Sequence, residues 1–395
     1  MAKLIEITGK AFSGEWGTDD ETGDGIPVLR TTNFTNEGVV DYRNVVTRTI
    51  TKKKIEEKYL RKGDIIIEKS GGSDKQPVGR VVFFDGPEQT YLFNNFTGLL
   101  RVKDQTTWYP RYVFYSMYSN YRRGGTRAFE NKTTGLHNLK TDDYVSRYEV
   151  SETSMENQME ICERLDRLYG IIKMRQQELQ KLDELIKARF VEMFGNPLDG
   201  TAKYPIHQVG EVANSVDPQP SHRTPPVEEG GIPYVSIKDC DYKTGKIDFE
   251  GARKVSPKVL EEHMNRYTLH DGDFVIGKIG TIGNPVFVPA RNDYTLSANV
   301  VLVQPNSELV SPYFLKYSFE SDFVERQFAE AKNSTSQAAF GIQKVRTVEV
   351  MNPNLDVQRE FETFVKQVDK SKVAVQAALE ETQLMFDSLM QEYFG

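Results

Sequence analysis

The stretch GDFVIGKI, Gly272 to Ile279, sets a glycine, four residues and then Gly-Lys. That is nearly the spacing of a loop that cradles nucleotide phosphates. Such a loop ends in Ser or Thr, whose hydroxyl holds magnesium, and here the position is Ile279. It must also open a helix, yet TIGNPVFVP follows, with Pro285 and a strand-like alternation. The related GDIIIEKS, from Gly63, lacks the second glycine. Both stretches read as strands ending in Gly-rich turns. Asp64, Glu68 and Lys69 are the residue types of a metal-dependent nuclease site. Neighbours in a strand face opposite ways, so Glu68 and Lys69 cannot both line one site.

MNPN, Met351 to Asn354, shares an Asn-Pro start with the Asn-Pro-Pro-aromatic loop of amino-methyltransferases, but lacks the second proline and the aromatic. Pro353 at the start of a helix accounts for it. His137, His207, His222, His263 and His270 show no metal-ligand spacing with one another or with Cys162 and Cys240. No nucleophile–base pair can be argued either, so no metal site and no catalytic site is expected. Two cysteines cannot make a disulfide framework, no apolar run reaches membrane-spanning length, and MAKLIEITGK lacks a signal-peptide core. A cytoplasmic setting is expected.

The elements that would position any site come in duplicate. At an offset of 200, Glu149-Val150 meets Glu349-Val350, Gln158 meets Gln358, Leu179 meets Leu379, and Phe194-Gly195 meets Phe394-Gly395. Upstream, GIPVLRTTNF from Gly25 pairs with GIPYVSIKDC from Gly231, and Gly63-Asp64 with Gly272-Asp273. The offset slips there, as loops of unequal length allow. The chain is therefore two copies of one module. In each, IIIEK, RVVFF, FVIGKIG, PVFVP and NVVLV read as strands, and YPRYVFYSMYSNYR and SPYFLKYSFESDFVERQF as one helix each. The fold class is α+β. The expected parts are a globular domain over 1–150, a long helix over 151–195, a second domain over 196–350 and a second long helix over 351–395.

In the first long helix Ile161, Leu165, Leu168, Ile172, Leu179, Leu182, Ile186 and Met193 form a heptad seam that Arg175 interrupts. Thr153 and Glu156 have capping-box spacing, and Gly195-Asn196-Pro197 is a stop signal. The second seam runs from Phe361 through Leu379 and Phe386 to Tyr393, with polar Lys372 and Thr382 in it. Forty residues of helix span roughly 60 Å. Two such seams bury best against each other, and a pseudo-two-fold relation between copies makes the helices antiparallel.

The polar residues suited to a nucleic acid sit in loops. YRRGGTRAFENKTTG offers Arg122, Arg123, Arg127, Asn131, Lys132 and Thr133, and AKNSTSQAAFG offers Lys332, Asn333, Ser334, Thr335 and Gln337. The turns and GIP strands add Lys69, Lys75, Arg80 and Lys278, then Arg30, Thr31, Asn33, Ser236 and Lys238. These are donors of the kinds that contact phosphates and base edges. The formal net charge of −7 argues against a uniformly basic binder, but it is unevenly spread. Residues 1–150 carry 23 Lys and Arg against 20 Asp and Glu, whereas 196–350 carry 16 against 20.

The duplicated GIP strands, the Gly-Asp strands, the Asn-containing strands at Asn95 and Asn299, the helix openings with Gln158 and Gln358 and the Phe-Gly helix ends together resemble the specificity subunit of type I restriction–modification systems. The resemblance covers essentially the whole chain. It implies two target-recognition domains joined by two long helices in an antiparallel coiled coil, each domain reading half of a bipartite asymmetric DNA target with a non-specific gap. It further implies docking of two methyltransferase subunits and of restriction subunits. No catalysis and no bound cofactor is implied for this chain; S-adenosylmethionine serves the partner methyltransferase. The alternatives are a coiled-coil scaffold that binds proteins irrespective of DNA, and a degenerate nucleotidase dependent on Lys278.

Overall fold

The computed structural model describes residues 1–395 apart from 52–54, 134–135, 220, 222, 243, 279–282 and 334–340, and it leaves the side chains of 132, 133, 136, 332 and 333 undescribed. Ile279, His222, Thr134, Ser334, Thr335 and Gln337 therefore lie outside the described residues. The chain forms two compact units, Met1–Arg175 with Ala378–Gly395, and Gln176–Ala377.

In the first unit Ile65–Glu68 lies between Thr97–Leu100 and Val81–Phe83, antiparallel to both, and Phe12–Ser13 extends the sheet beyond Thr97–Leu100. All four residues of Ile65–Glu68 are buried, so the run is continuously apolar up to Glu68. The GIP strand, Ile26–Leu29, pairs antiparallel with Val46–Thr49 and parallel with Leu92–Phe93. A hairpin of Glu130–Thr133 and Leu136–Leu139 joins Ser70–Gly72. The helix Pro110–Arg122 packs on Val81–Phe83, its proline at the position where a missing N–H costs nothing.

The second unit repeats this plan. Phe274–Gly277 lies between Val300–Pro305 and Val286–Phe287, with Ala213–Val216 beyond. Ile232–Val235 pairs antiparallel with Arg253–Val255 and parallel with Thr295–Leu296. Phe274–Gly277 of GDFVIGKI is thus a strand within a sheet. One expectation needs correction. SPYFLKYSFESDFVERQF forms two helices, Pro312–Phe319 and Asp322–Asn333. At the break Ser321 donates its hydroxyl to the Ser318 carbonyl (2.6 Å), and its own carbonyl accepts from Val324 N (3.0 Å). A serine so engaged ends one helix and starts another.

The long helices run Met155–Phe194 and Leu355–Phe394. The first cap sits one residue later than expected: Ser154 Oγ, not Thr153, accepts from the backbone N of Asn157 (3.2 Å). The second is capped by Asn354, whose Oδ1 accepts from Val357 N (3.1 Å). Each unit holds the beginning of one long helix and the end of the other. In the first unit Arg164 reaches the Tyr393 hydroxyl (3.2 Å), and Arg175 donates to Thr382 Oγ1 and to the Ala378 carbonyl. One index rises while the other falls, so the two segments run antiparallel. In the second unit the pairs are Arg189–Glu360 (3.1 Å) and Asp183–Lys372 (2.6 Å). The polar residues that interrupt the two seams are therefore partnered across the helices. Burial alone would lower the Lys372 pKa, but the hydrogen bond and charge of Asp183, with Asp369 beside it, leave it raised.

The helix ends close the cores. Phe386, Met390 and Phe394 join the first core with Tyr112, Leu165 and Ile172. Phe190, Phe194, Phe314 and Phe361 interlock in the second, with ring centroids 4.8–5.7 Å apart. Gly195 then turns the chain at φ +79°, where a Cβ would lie 1.9 Å from the Thr201 carbonyl oxygen, so only glycine fits.

The echoed glutamines fasten each long helix to its domain. Gln158 accepts from Tyr109 N (2.8 Å) and donates to the carbonyls of Thr107 (2.9 Å) and Thr153 (3.0 Å). Gln358 accepts from Ser311 N (2.7 Å) and donates to the Pro353 carbonyl (2.7 Å) and Asn352 Oδ1 (3.1 Å). Tyr109 and Ser311 each precede the proline that opens a domain helix, so both copies use one joint.

Candidate nucleic-acid interface

In the first unit the helix Pro110–Arg122 delivers its basic end, and Gly124 (φ +75°) turns the chain into the short 3₁₀ segment Gly125–Phe129. This turn brings Arg122, Arg123 and Arg127 round a cavity of about 470 Å³, with Lys75 on the facing loop. Asn36 and Gln76 complete its polar wall. Gln76 fixes the facing loop by donating to Asn36 Oδ1 and the Tyr121 hydroxyl, both at 3.1 Å. Four of the predicted residues thus converge. Asn36 and Gln76 were missed, because a lone polar residue in a loop gives no sign of the wall that it will join.

Each arginine has an anchor. Arg122 pairs with Asp387 (2.6 Å), Arg123 donates to the Phe394 carbonyl, and Arg127 donates to the Asp74 carbonyl (3.2 Å). Burial opposes the charge of Arg122, but Asp387 outweighs it and its pKa is raised. Arg122 and Arg123 therefore also hold the end of the second long helix.

Other predicted residues are engaged within the fold. Arg80 donates to the Phe34 and Thr31 carbonyls (2.9 Å each) and lies 3.4 Å from buried Glu68, bracing the loop after the GIP strand. Burial raises the Glu68 pKa, against the opposing pull of Arg80. Asn33 is buried and holds that loop, accepting from Arg30 N (3.0 Å) and donating to the Asp41 carbonyl (2.9 Å). Arg30 itself donates to the Asn44 carbonyl (3.3 Å). Lys69 is half-buried beside the sheet, and Asn131 is exposed on the hairpin.

In the second unit Lys278 is buried against Asp217 (2.8 Å). Ser236 is buried and Lys238 exposed on the turn after Ile232–Val235. Lys332 and Asn333 end the helix Asp322–Asn333. Among the described residues no group of three or more His, Cys, Asp and Glu could hold a metal.

His263 is the buried titratable hub of this unit. Its Nδ1 lies 2.6 Å from Thr295 Oγ1, its Nε2 faces Gln219 Oε1, and Tyr267 shares Thr295 at 2.9 Å. Burial, then Arg266, lowers its pKa from 6.5, while Glu262 opposes them. The folded state prefers the neutral ring, so its contribution is present above pH 6.5 and is lost as pH falls from there through the lower pKa of the folded state. The urea midpoint should therefore drop between pH 7.5 and pH 5.5, and His263→Gln should remove part of that drop. An identical drop in the variant would exclude His263 as its source.

Comparison with known proteins fits this arrangement. The family model described as "Type I restriction modification DNA specificity domain" matches twice, over residues 2–184 and 203–382. The chain is similar to a solved structure titled as the S subunit of a type I restriction-modification system from M. genitalium, at 15% identity and TM-score 0.54, covering 100% of this chain and 95% of that one. A second similar structure, from work titled as the structural basis of complex assembly and conformational transition of the type I R-M system, shows 14% identity and TM-score 0.52, with 100% and 96% covered. Comparison with curated proteins finds no match. No helix among the described residues is long and apolar enough to cross a membrane.

Proposed function

We propose, from the premise that this chain belongs to the type I restriction modification DNA specificity family, that it reads a split, asymmetric DNA target, one half with each unit. The family recognises DNA sequence, and its specificity subunits are non-catalytic. The observation that carries the finer reading is the duplicated frame with unlike loops. Strand pairings repeat from unit to unit, Ile67 opposite Gly98 and Ile276 opposite Val301. The surroundings differ: Arg122, Arg123 and Arg127 stand at the end of one domain helix, whereas the segment after the other carries Asp322 and Glu325. Equal frames with different polar groups suit two different half-sites.

On this reading the long helices dock two methyltransferase subunits and set the gap between half-sites, and restriction subunits join the complex. The methyl donor, S-adenosylmethionine, is held by the partner.

The test is a base-modification map of genomic DNA from cells with the neighbouring methyltransferase, with and without this chain. A split motif methylated only in its presence is the expected result. No chain-dependent motif, with an active and bound methyltransferase, would refute the reading.

A further inference from the structure

We infer that the cavity bounded by Lys75, Arg122, Arg123 and Arg127 seats a phosphate of the DNA backbone and reads no base. The inference rests on the DNA-recognition reading and assigns this site its ligand.

Shape decides between the two contacts. Base edges lie at the floor of a groove about 12 Å wide and are reached by something convex, a helix or a two-stranded ribbon. Backbone phosphates stand out from the duplex and fit a concave wall. The cations here surround a hollow, and they come from the 73–78 loop, the end of the helix Pro110–Arg122 and the 3₁₀ segment Gly125–Phe129. A two-stranded ribbon, the hairpin Glu130–Thr133 with Leu136–Leu139, follows directly in the chain.

Charge agrees with shape. Four cations line the hollow, and one of them, Arg122, pairs with Asp387. Asp74, whose side chain is largely exposed, stands beside His137 at 3.6 Å. Arg122 and Arg123 are held by the second long helix, so two donors are already oriented before an anion arrives. Lys75 and Arg127 are exposed, and Arg127 reaches the loop of Lys75 through the Asp74 carbonyl (3.2 Å). Neutralising a phosphate releases condensed counterions, so the seat must show in the salt dependence of binding and not in sequence preference.

The test measures binding of the full chain, joined to its methyltransferase, to two duplexes of equal length, one carrying the mapped target and one of scrambled sequence. Lys75→Ala and Arg127→Ala, both exposed, should each lower affinity about three- to tenfold on both duplexes. Each should reduce the slope of log affinity against log salt by about one. Asp387→Asn, which removes the competing carboxylate, should raise affinity on both. Unchanged affinity in Lys75→Ala and Arg127→Ala would overturn the seat, as would a loss confined to the target duplex. If the unaltered complex discriminates target from scrambled DNA while these variants match it, the seat alone fails. If the unaltered complex shows no discrimination, the recognition reading fails first.

Discussion

Gln358→Ala is expected to lower the stability of the second unit by about 3 kcal/mol, the cost of leaving one buried donor and two acceptors without partners. The side chain is fully buried, and Ser311 N, the Pro353 carbonyl and Asn352 Oδ1 all lose their partner at once. The readout can be assigned to a unit. Both tryptophans, Trp16 and Trp108, lie in the first unit. Tryptophan fluorescence in urea therefore follows that unit, whereas far-ultraviolet circular dichroism follows both. Gln358→Ala should shift the dichroism transition more than the fluorescence one, and Gln158→Ala should shift fluorescence strongly. Gln358→Glu tests the chemistry. A carboxylate still accepts from Ser311 N but cannot donate to Pro353, and Glu362 lies nearby on Ser311 Oγ (2.7 Å). Burial would raise the pKa of the new group, so the variant should regain stability as pH falls. Equal stability of Gln358→Ala and the parent would show that the joint holds nothing.

Phe194→Ala should cost the second unit about 3–5 kcal/mol, the usual range for removing a buried phenyl ring. The ring is fully buried, with Phe314 at 4.8 Å, Phe190 at 4.9 Å and Phe361 at 5.5 Å. Its counterpart Phe394 is 8% exposed and touches the rings of Tyr112 and Tyr393, so Phe394→Ala should cost less. Calorimetry of both variants gives the comparison. A larger loss for Phe394→Ala would contradict this ranking.

Much of this was legible in the residues. The echo of Gln158 at 358 and of Phe-Gly at 194 and 394 gave away the duplication, because a joint used twice leaves the same residues twice. The strands around Ile65–Glu68 and Phe274–Gly277 were legible as short buried runs between turn residues. Arg175, Lys372 and Thr382 were legible only as interruptions. Their partners lie far along the chain, and periodicity within one helix is silent about what faces it. The Ser321 break was hidden because serine fits a helix surface as well as a cap. The candidate site was the least legible part. Arg80, Asn33 and Lys278 have the same chemistry as Lys75 and Arg127, yet they brace the fold, and composition does not separate a brace from a reader.

The first unit needs Phe386, Met390 and Phe394 from Ala378–Gly395 to cover Tyr112, Leu165 and Ile172. Synthesis runs from the amino end at roughly 5–20 residues per second, so its closing segment follows Arg175 on the order of 10–40 s later. During that interval the part of the first seam around Leu165 and Ile172 lacks this cover, and a chain cut short before Ala378 never gains it. The domain begun first is thus finished last, and a truncated product would carry a standing apolar stripe for chaperones and proteases to find.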